Sequence, residues 1–361
     1  MDAYQPIIVR RGSTYEVTAT RYGHSLRAEF SRIGNERGYI RAEVSTFLDD
    51  NGAYRGGFSL NSPTSAKPYI DKVEKKRSFS NYGIVSPKES REQWEDFLDD
   101  AINITIDTYR QGEPEVLISD RWQDKVGDDV FLIEPYLLLG QHNTVYGDPS
   151  SAKSLMALWW SVLLDTGYVH AENVDVVSSR ANCLYLDWET SDVEILRRVR
   201  WLHAGIGEEA ASNLVYRNCH QPLASETNNI RDIVYRRWGD KVERPILIIV
   251  DSLGMATEGG LSDEDVVAPY FAALRALQQD LGDECTTLTI THTNKDGDLF
   301  GSQYIRAESR NIWQLKSSVV DRGQIHVNAF HRKSNSVGAS PPRAYSVKFV
   351  RDQVSNQTSH I

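Results

Sequence analysis

The stretch V-Y-G-D-P-S-S-A-K-S, residues 145–154, decides how the rest of the chain reads. An apolar approach, Thr144 to Tyr146, stops at Gly147. A loop of small residues follows, then Lys153-Ser154, then the apolar run Leu155 to Leu164. This order predicts strand, loop and helix, with the loop at the helix N-terminus. Unpaired backbone N–H groups and the positive end of the helix dipole face such a loop, and a polyphosphate is its natural ligand. Lys153 would reach the β- and γ-phosphates, and the Ser154 hydroxyl would ligate Mg2+.

The segment resembles the Walker A phosphate loop, G-x-x-x-x-G-K-[ST]. Gly147, Asp148, Pro149, Ser150, Ser151, Ala152, Lys153 and Ser154 fill its positions. Ala152 stands where the motif has its second glycine. An alanine takes a positive φ only at a cost, so the substitution is tolerable if Ala152 is already helical.

Composition narrows the class. The chain has 361 residues, enough for two domains. Its 40% hydrophobic and 25% charged residues suit a soluble globular protein. A net charge of −10 gives no general attraction for nucleic acid, so any such binding needs a local basic track. Cys183, Cys219 and Cys285 lack ligand spacing and read as buried free thiols of a reducing compartment. The start, M-D-A-Y-Q-P, has no signal-peptide pattern, and no apolar run reaches the roughly 18 residues of a membrane span. A cytoplasmic location without membrane contact is expected.

Residues 1–112 read as a small α+β accessory domain. Alternation over Tyr15–Thr20, Leu26–Arg32 and Tyr39–Phe47, broken by turn residues at 22–24 and 33–38, predicts an antiparallel meander. Asn51-Gly52 marks a further turn. The run K-V-E-K-K-R at 72–77 is either a solvated helix face or a phosphate contact. Ser90 with Gln93 reads as a capping box opening a helix, whose buried face carries Trp94, Phe97, Leu98, Ala101, Ile102 and Tyr109. The linker falls at Gln111–Pro114, and residues 113–361 alternate strand and helix, which argues a mostly parallel sheet.

Along that second domain, C-L-Y-L-D-W-E at 183–189 ends a short strand in two carboxylates. Two residues apart in an extended strand, Asp187 and Glu189 would face the same way, at the strand end where α/β sheets bind ligands. Glu189 is the candidate to orient or deprotonate an attacking water. Asp187 reads rather as a solvated strand end or helix cap. Ser191 with Glu194 would cap the next helix, and a further helix is expected around Ile230 to Trp238. The continuous run Ile246 to Val250 suits a central strand covered on both faces. It ends in Asp251, a Walker B carboxylate that would hold Mg2+ beside Ser154. Residues 254–264 read as a flexible acidic loop, followed by a helix with Pro269 in its first turn and Phe271, Leu274 and Leu277 buried. The strand 286–292 ends in His292, which either bonds a γ-phosphate and reports its loss or is a strand-end histidine with no ligand. Hairpin strands follow at 312–316, 325–331 and 345–350. Arg332 and Lys333 stand at a strand end, either in a solvated turn or completing a neighbour's site.

Taken in order, G-D-P-S-S-A-K-S, L-Y-L-D-W-E, I-L-I-I-V-D-S-L, T-I-T-H-T-N-K-D, F-G-S-Q-Y-I-R-A and F-H-R-K-S-N resemble the RecA-like core of AAA-type ATP-binding proteins, in the branch of RepA-type and DnaB-type hexameric helicases. The resemblance covers residues 113–350. It implies ATP and Mg2+ as cofactors, Lys153 and Ser154 on phosphate and metal, and Asp251 on metal. It also implies Glu189 as the catalytic glutamate, His292 as γ-phosphate sensor, and Arg332 or Lys333 acting in trans. It implies a homo-oligomeric ring, a hexamer in many relatives, with single-stranded DNA as a partner and the N-terminal domain available to another protein. One departure stands out. The loops expected to grip a strand, 254–264 and 295–300, carry Glu258, Asp263, Glu264, Asp296 and Asp298 against Lys295. Nucleic-acid grips use cations and stacking aromatics.

Overall fold

The computed structural model describes residues 4–352 and 358–361, apart from 12–13, 37–38, 63, 84, 113–116, 118, 120–130, 169–175, 208–213, 240–242 and 337. The chain divides into two compact units, Met1–Lys125 and Val126–Ile361. Glu113 and Pro114 of the expected linker lie outside the described residues.

The first unit holds β1 (Ile7–Arg11), β2 (Thr14–Arg21), β3 (His24–Glu36), β4 (Tyr39–Leu48) and β5 (Asn51–Ser59), paired in sequence order as an antiparallel meander. Alternate residues point to one face. Tyr15, Val17 and Ala19, with Leu26, Ala28 and Phe30, pack against helices α1 (Lys67–Lys76) and α2 (Pro87–Gln111). On α2 the expected face is buried at Trp94, Phe97, Leu98, Ala101 and Ile102. Its capping box is not Ser90/Gln93 but Ser86/Glu89, one turn earlier, with Pro87 opening the helix. Ser90 is buried instead and donates to Glu74 (2.8 Å). Lys72, Lys75 and Lys76 lie on the exposed side of α1, a solvated helix face.

The second unit opens with β6 (Phe131–Glu134), β7 (Leu137–Leu138) and β8 (His142–Gly147), followed by α3 (Lys153–Thr166). Next come β9 (Val176–Val177), β10 (Asn182–Asp187), α4 (Asp192–Gly205), β11 (Leu214–Asn218) and α5 (Leu223–Trp238). Then follow β12 (Ile246–Asp251), α6 (Leu253–Ala256), α7 (Glu264–Leu281), β13 (Cys285–His292) and α8 (Gln303–Glu308). Next are β14 (Asn311–Asp321), β15 (Gln324–Ser334) and β16 (Arg343–Lys348), and a short antiparallel pair, β17 (Val350–Arg351) and β18 (Thr358–His360), comes last. The main sheet runs β11-β10-β12-β13-β8-β14-β15-β16. It is parallel from β11 to β14 and antiparallel at β15 and β16.

The unbroken apolar run of β12 is explained by cover on both faces. Leu247 and Ile249 join the core under α3 and α4, while Ile246, Ile248 and Val250 join the core under α5 and α7. The three cysteines are buried and free. Three local expectations are corrected. Ser191 is the N-cap of α4 but makes no side-chain cap bond. Pro269 sits inside α7 rather than in its first turn, because Asp263 caps the helix earlier by accepting from Asp265 N–H. The start of the 254–264 loop is helical, since α6 reaches Ala256. No helix among the described residues is long and apolar enough to cross a membrane.

Candidate functional site

Strand register brings the site together. Asp187 pairs with Asp251 across β10 and β12, and His292 pairs with Gly147 across β13 and β8. The tips of these parallel strands therefore share one edge of the sheet. Gly147 is required there by space: a Cβ would run into the Leu315 carbonyl and the Ser151 hydroxyl.

Ala152 does not meet the condition of being already helical. It caps α3 from the left-handed region, with φ 64° and ψ 22°. Ser150 also has a positive φ, 65°. Ser151 N–H closes a turn on the Asp148 carbonyl (3.1 Å), and the left-handed residue joins that turn to the helix at Lys153. A non-glycine residue pays about 1–2 kcal/mol for this conformation, which is the physical reason the motif has glycine at this position.

Lys153 is 6% exposed. Its ammonium donates to the carbonyls of Gly147 (2.9 Å) and Asp148 (2.8 Å) and to Ser151 Oγ (3.4 Å). Burial pulls its pKa down, against the opposing charges of Asp251, Glu189 and Asp148. Asp251 is almost fully buried and its carboxyl is pushed up, first by burial. Hydroxyl bonds from Ser154 and Tyr185 oppose that rise, and Asp187 and Glu189 add to it. The Tyr185 hydroxyl donates to Asp251 Oδ2 at 2.6 Å.

Asp187 and Glu189 do not face the same way. Strand β10 ends at Asp187, so the two-residue strand period does not extend to Glu189. The buried Asp187 caps the turn that follows, accepting the N–H groups of Glu189 (2.8 Å) and Thr190 (3.0 Å) and the Tyr216 hydroxyl (3.2 Å). Glu189 reaches instead toward β12 and β13. Its Oε1 accepts the Ser252 hydroxyl and lies 3.9 Å from His292 Nε2. His292 first, then Ser252, hold the Glu189 carboxyl below its usual range. Next to His292, the Thr293 hydroxyl donates to the Asp148 carboxylate of the phosphate loop.

Arg332 and Lys333 are separated by their surroundings. Lys333 closes the C-terminal end of α8, donating to the carbonyls of Arg306, Ala307 and Ser309. Arg332 is exposed, its guanidinium held by Gln314 Oε1 (Nε at 3.0 Å) and lying 5.3 Å from the Phe330 ring centre. In the loops 254–264 and 295–300, Met255 and Phe300 expose 56% and 41% of their surface. Ser302 N–H bonds the Leu261 carbonyl (2.8 Å) and ties the two loops together.

Tyr185, Ser252, Thr293 and Gln314 were not singled out from the sequence. Tyr185 and Gln314 carry a legible mark, a polar tip between two apolar neighbours, Leu184 and Leu186 for the first and Trp313 and Leu315 for the second. Ser252 and Thr293 carry none beyond following a strand-end Asp or His.

The phosphate-loop strand β8 lies beside the His292-tipped β13, which lies beside the Asp251-tipped β12, in a mostly parallel sheet with helices on both faces, the arrangement expected of a P-loop nucleotide-binding fold. Residues 130–298 match the family model of an AAA domain. The structure of a DnaB-like replicative helicase, described with its interactions with primase, is similar over 79% of this chain and 77% of that chain, with a TM-score of 0.46 and 11% sequence identity. No curated protein matches.

Proposed function

We propose that the chain hydrolyses ATP with Mg2+ in a ring of identical subunits, and that it acts on single-stranded DNA in a helicase-like manner. The observation that carries this reading is the meeting of Lys153, Ser154, Asp251, Glu189 and His292 at one sheet edge. The donor set fits the metal. A hydroxyl and a carboxylate, Ser154 and Asp251, are hard oxygen ligands that share a hydrogen bond, and Mg2+ takes one or two protein oxygens alongside substrate phosphate and water. Among the described residues no three His, Cys, Asp or Glu side chains gather to hold a metal alone. When bound, the ion would neutralise charge developing between the β- and γ-phosphates.

The residues divide the remaining work. Lys153 would exchange its loop carbonyls for phosphate oxygens, a stronger charge-assisted contact. Glu189, kept ionised beside His292, would accept a proton from the attacking water or orient it. His292 would bond the γ-phosphate and relay its loss to Glu189 and Thr293. Arg332, whose guanidinium is exposed, would complete the neighbouring subunit's site, and Lys333, committed to α8, would not.

A second reading is favoured by the acidic loops around Met255 and Phe300: ATP-gated assembly that recruits a protein partner through the N-terminal unit without moving along DNA. ATP turnover and mass in solution, each with and without single-stranded DNA, decide between them. Strong, salt-sensitive stimulation by DNA supports the first reading, and turnover indifferent to DNA supports the second. Lys153→Ala should abolish nucleotide binding, and Glu189→Gln should keep binding while removing hydrolysis. A Glu189→Gln protein that turns over ATP normally refutes the assignment of the water-orienting group.

A further inference from the structure

Gln314 is a polar side chain in the buried first half of strand β14, 3% exposed, and both ends of its amide are engaged. Its Nε2 donates to the Gly297 carbonyl at 2.7 Å. Its Oε1 accepts from Arg332, at 3.0 Å from Nε and 2.5 Å from the terminal nitrogen. The partners fix the amide's orientation, since a carbonyl can only accept and a guanidinium can only donate. Gly297 belongs to a tight turn begun by Asn294, whose side-chain oxygen accepts the N–H groups of Asp296 and Asp298, each at 2.9 Å. That turn directly follows His292 and Thr293, and Thr293 is bonded to Asp148 of the phosphate loop. One buried amide therefore connects the segment beside the chain's own phosphate loop to the guanidinium on the next strand.

We propose that Gln314 is a positioning residue: it aims Arg332 at the adjacent subunit's nucleotide, and it ties that aim to the turn after His292. The inference rests on Arg332 acting in trans. An exposed arginine has many rotamers, and anchoring the acceptor on both sides confines it to few. Without the amide, Arg332 keeps its charge and loses its direction, and displacement of a transition-state contact by about 1 Å can cost a hundredfold in rate.

The test is subunit mixing. Wild-type protein is diluted one part in five into three site-dead proteins: Lys153→Ala alone, Lys153→Ala with Arg332→Ala, and Lys153→Ala with Gln314→Leu. In a ring with head-to-tail contacts, about four of every five wild-type sites then face a doped neighbour. With Lys153→Ala alone the neighbour still offers Arg332. With Gln314→Leu present, turnover per wild-type subunit should fall a further fivefold or so, as it does with Arg332→Ala. A purely structural role would not act across subunits. Poisoning by the Arg332→Ala mixture but not by the Gln314→Leu mixture overturns the proposal and leaves the trans reading intact. Poisoning by neither removes the reading on which it rests. Gln314→Glu, which retains an acceptor for Arg332 but loses the donor to the Gly297 carbonyl, should restore part of the lost turnover in the same mixture. It also serves as the variant if Gln314→Leu does not fold. A Glu variant as damaging as Arg332→Ala counts against the proposal.

Discussion

Ala152 offers a sharp test of the loop geometry. If it sits at φ 64° in solution, replacing it with glycine removes about 1–2 kcal/mol of left-handed strain. Two losses oppose that gain. The glycine chain is freer when unfolded, by about 0.4–1 kcal/mol. The methyl group packs against the core of the second unit, and half of one buried methyl is worth about 0.4 kcal/mol. The three contributions nearly cancel, so Ala152→Gly should melt within about 2 °C of the wild type. A β-branched residue is the opposite case. It resists positive φ more than alanine does, so Ala152→Val should cost at least 2 kcal/mol, or roughly 4–8 °C for a unit of this size. Thermal unfolding followed through Trp160 and Trp313, both buried in that unit, measures the two variants. A helical Ala152 would give the reverse pattern. Glycine would then cost about 1 kcal/mol, as in an ordinary helix, and valine about half that. A glycine variant clearly less stable than the valine variant refutes the left-handed assignment.

The remaining predictions follow from neighbouring contacts. Lys333→Ala should destabilise the second unit by about 1–3 kcal/mol, because it strips a charged donor from the carbonyls at the end of α8. Arg332→Ala should leave the melting temperature nearly unchanged while lowering assembled ATP turnover by about a thousandfold or more. Asp251→Asn should raise stability at neutral pH. Burial lifts the folded-state pKa above 3.8, so the folded chain holds the proton more tightly than the unfolded chain and the charged form is a liability at high pH. The advantage of the Asn variant should shrink as pH falls through the raised pKa and vanish below 3.8, which melts across a pH series will show. Gly147→Ala should lose at least 1–3 kcal/mol and nucleotide binding together, since its Cβ has nowhere to go.

The parallel sheet was legible because β12 is covered on both faces, which leaves a continuous apolar run ended by a single polar residue. The order of the sheet's strands was not legible. Nothing in the sequence places β13 between β12 and β8, because pairing is decided by tertiary packing rather than by local pattern. Helix positions were readable and their first residues less so. Ser86/Glu89 and Ser90/Gln93 present the same capping chemistry four residues apart, and Ser90 was lost to a buried bond with Glu74 that only the folded chain reveals. Pro269 misled in the same way, because its position relative to Asp263 depended on where the helix began.

The two carboxylates after β10 show where motif reading stops and geometry begins. As letters in L-Y-L-D-W-E, Asp187 and Glu189 are equivalent, and strand periodicity would make them a pair. The strand ends between them, so their surroundings diverge. Asp187 is sealed by two backbone N–H groups and a tyrosine hydroxyl, with its acceptor capacity spent on the turn. Glu189 remains partly exposed beside Ser252 and His292, with free acceptor capacity and a lowered pKa. A group that must accept a proton from water needs an open lone pair more than it needs a place at a strand tip. The buried carboxylate builds the turn, and that turn delivers the exposed one to the edge where Lys153 and Asp251 lie. Asp187→Asn should therefore impair catalysis indirectly, through Glu189. It keeps an acceptor for the turn, and its loss of kcat should be smaller than that of Glu189→Gln. Equal losses in the two variants would mean that Asp187 itself takes part in the chemistry.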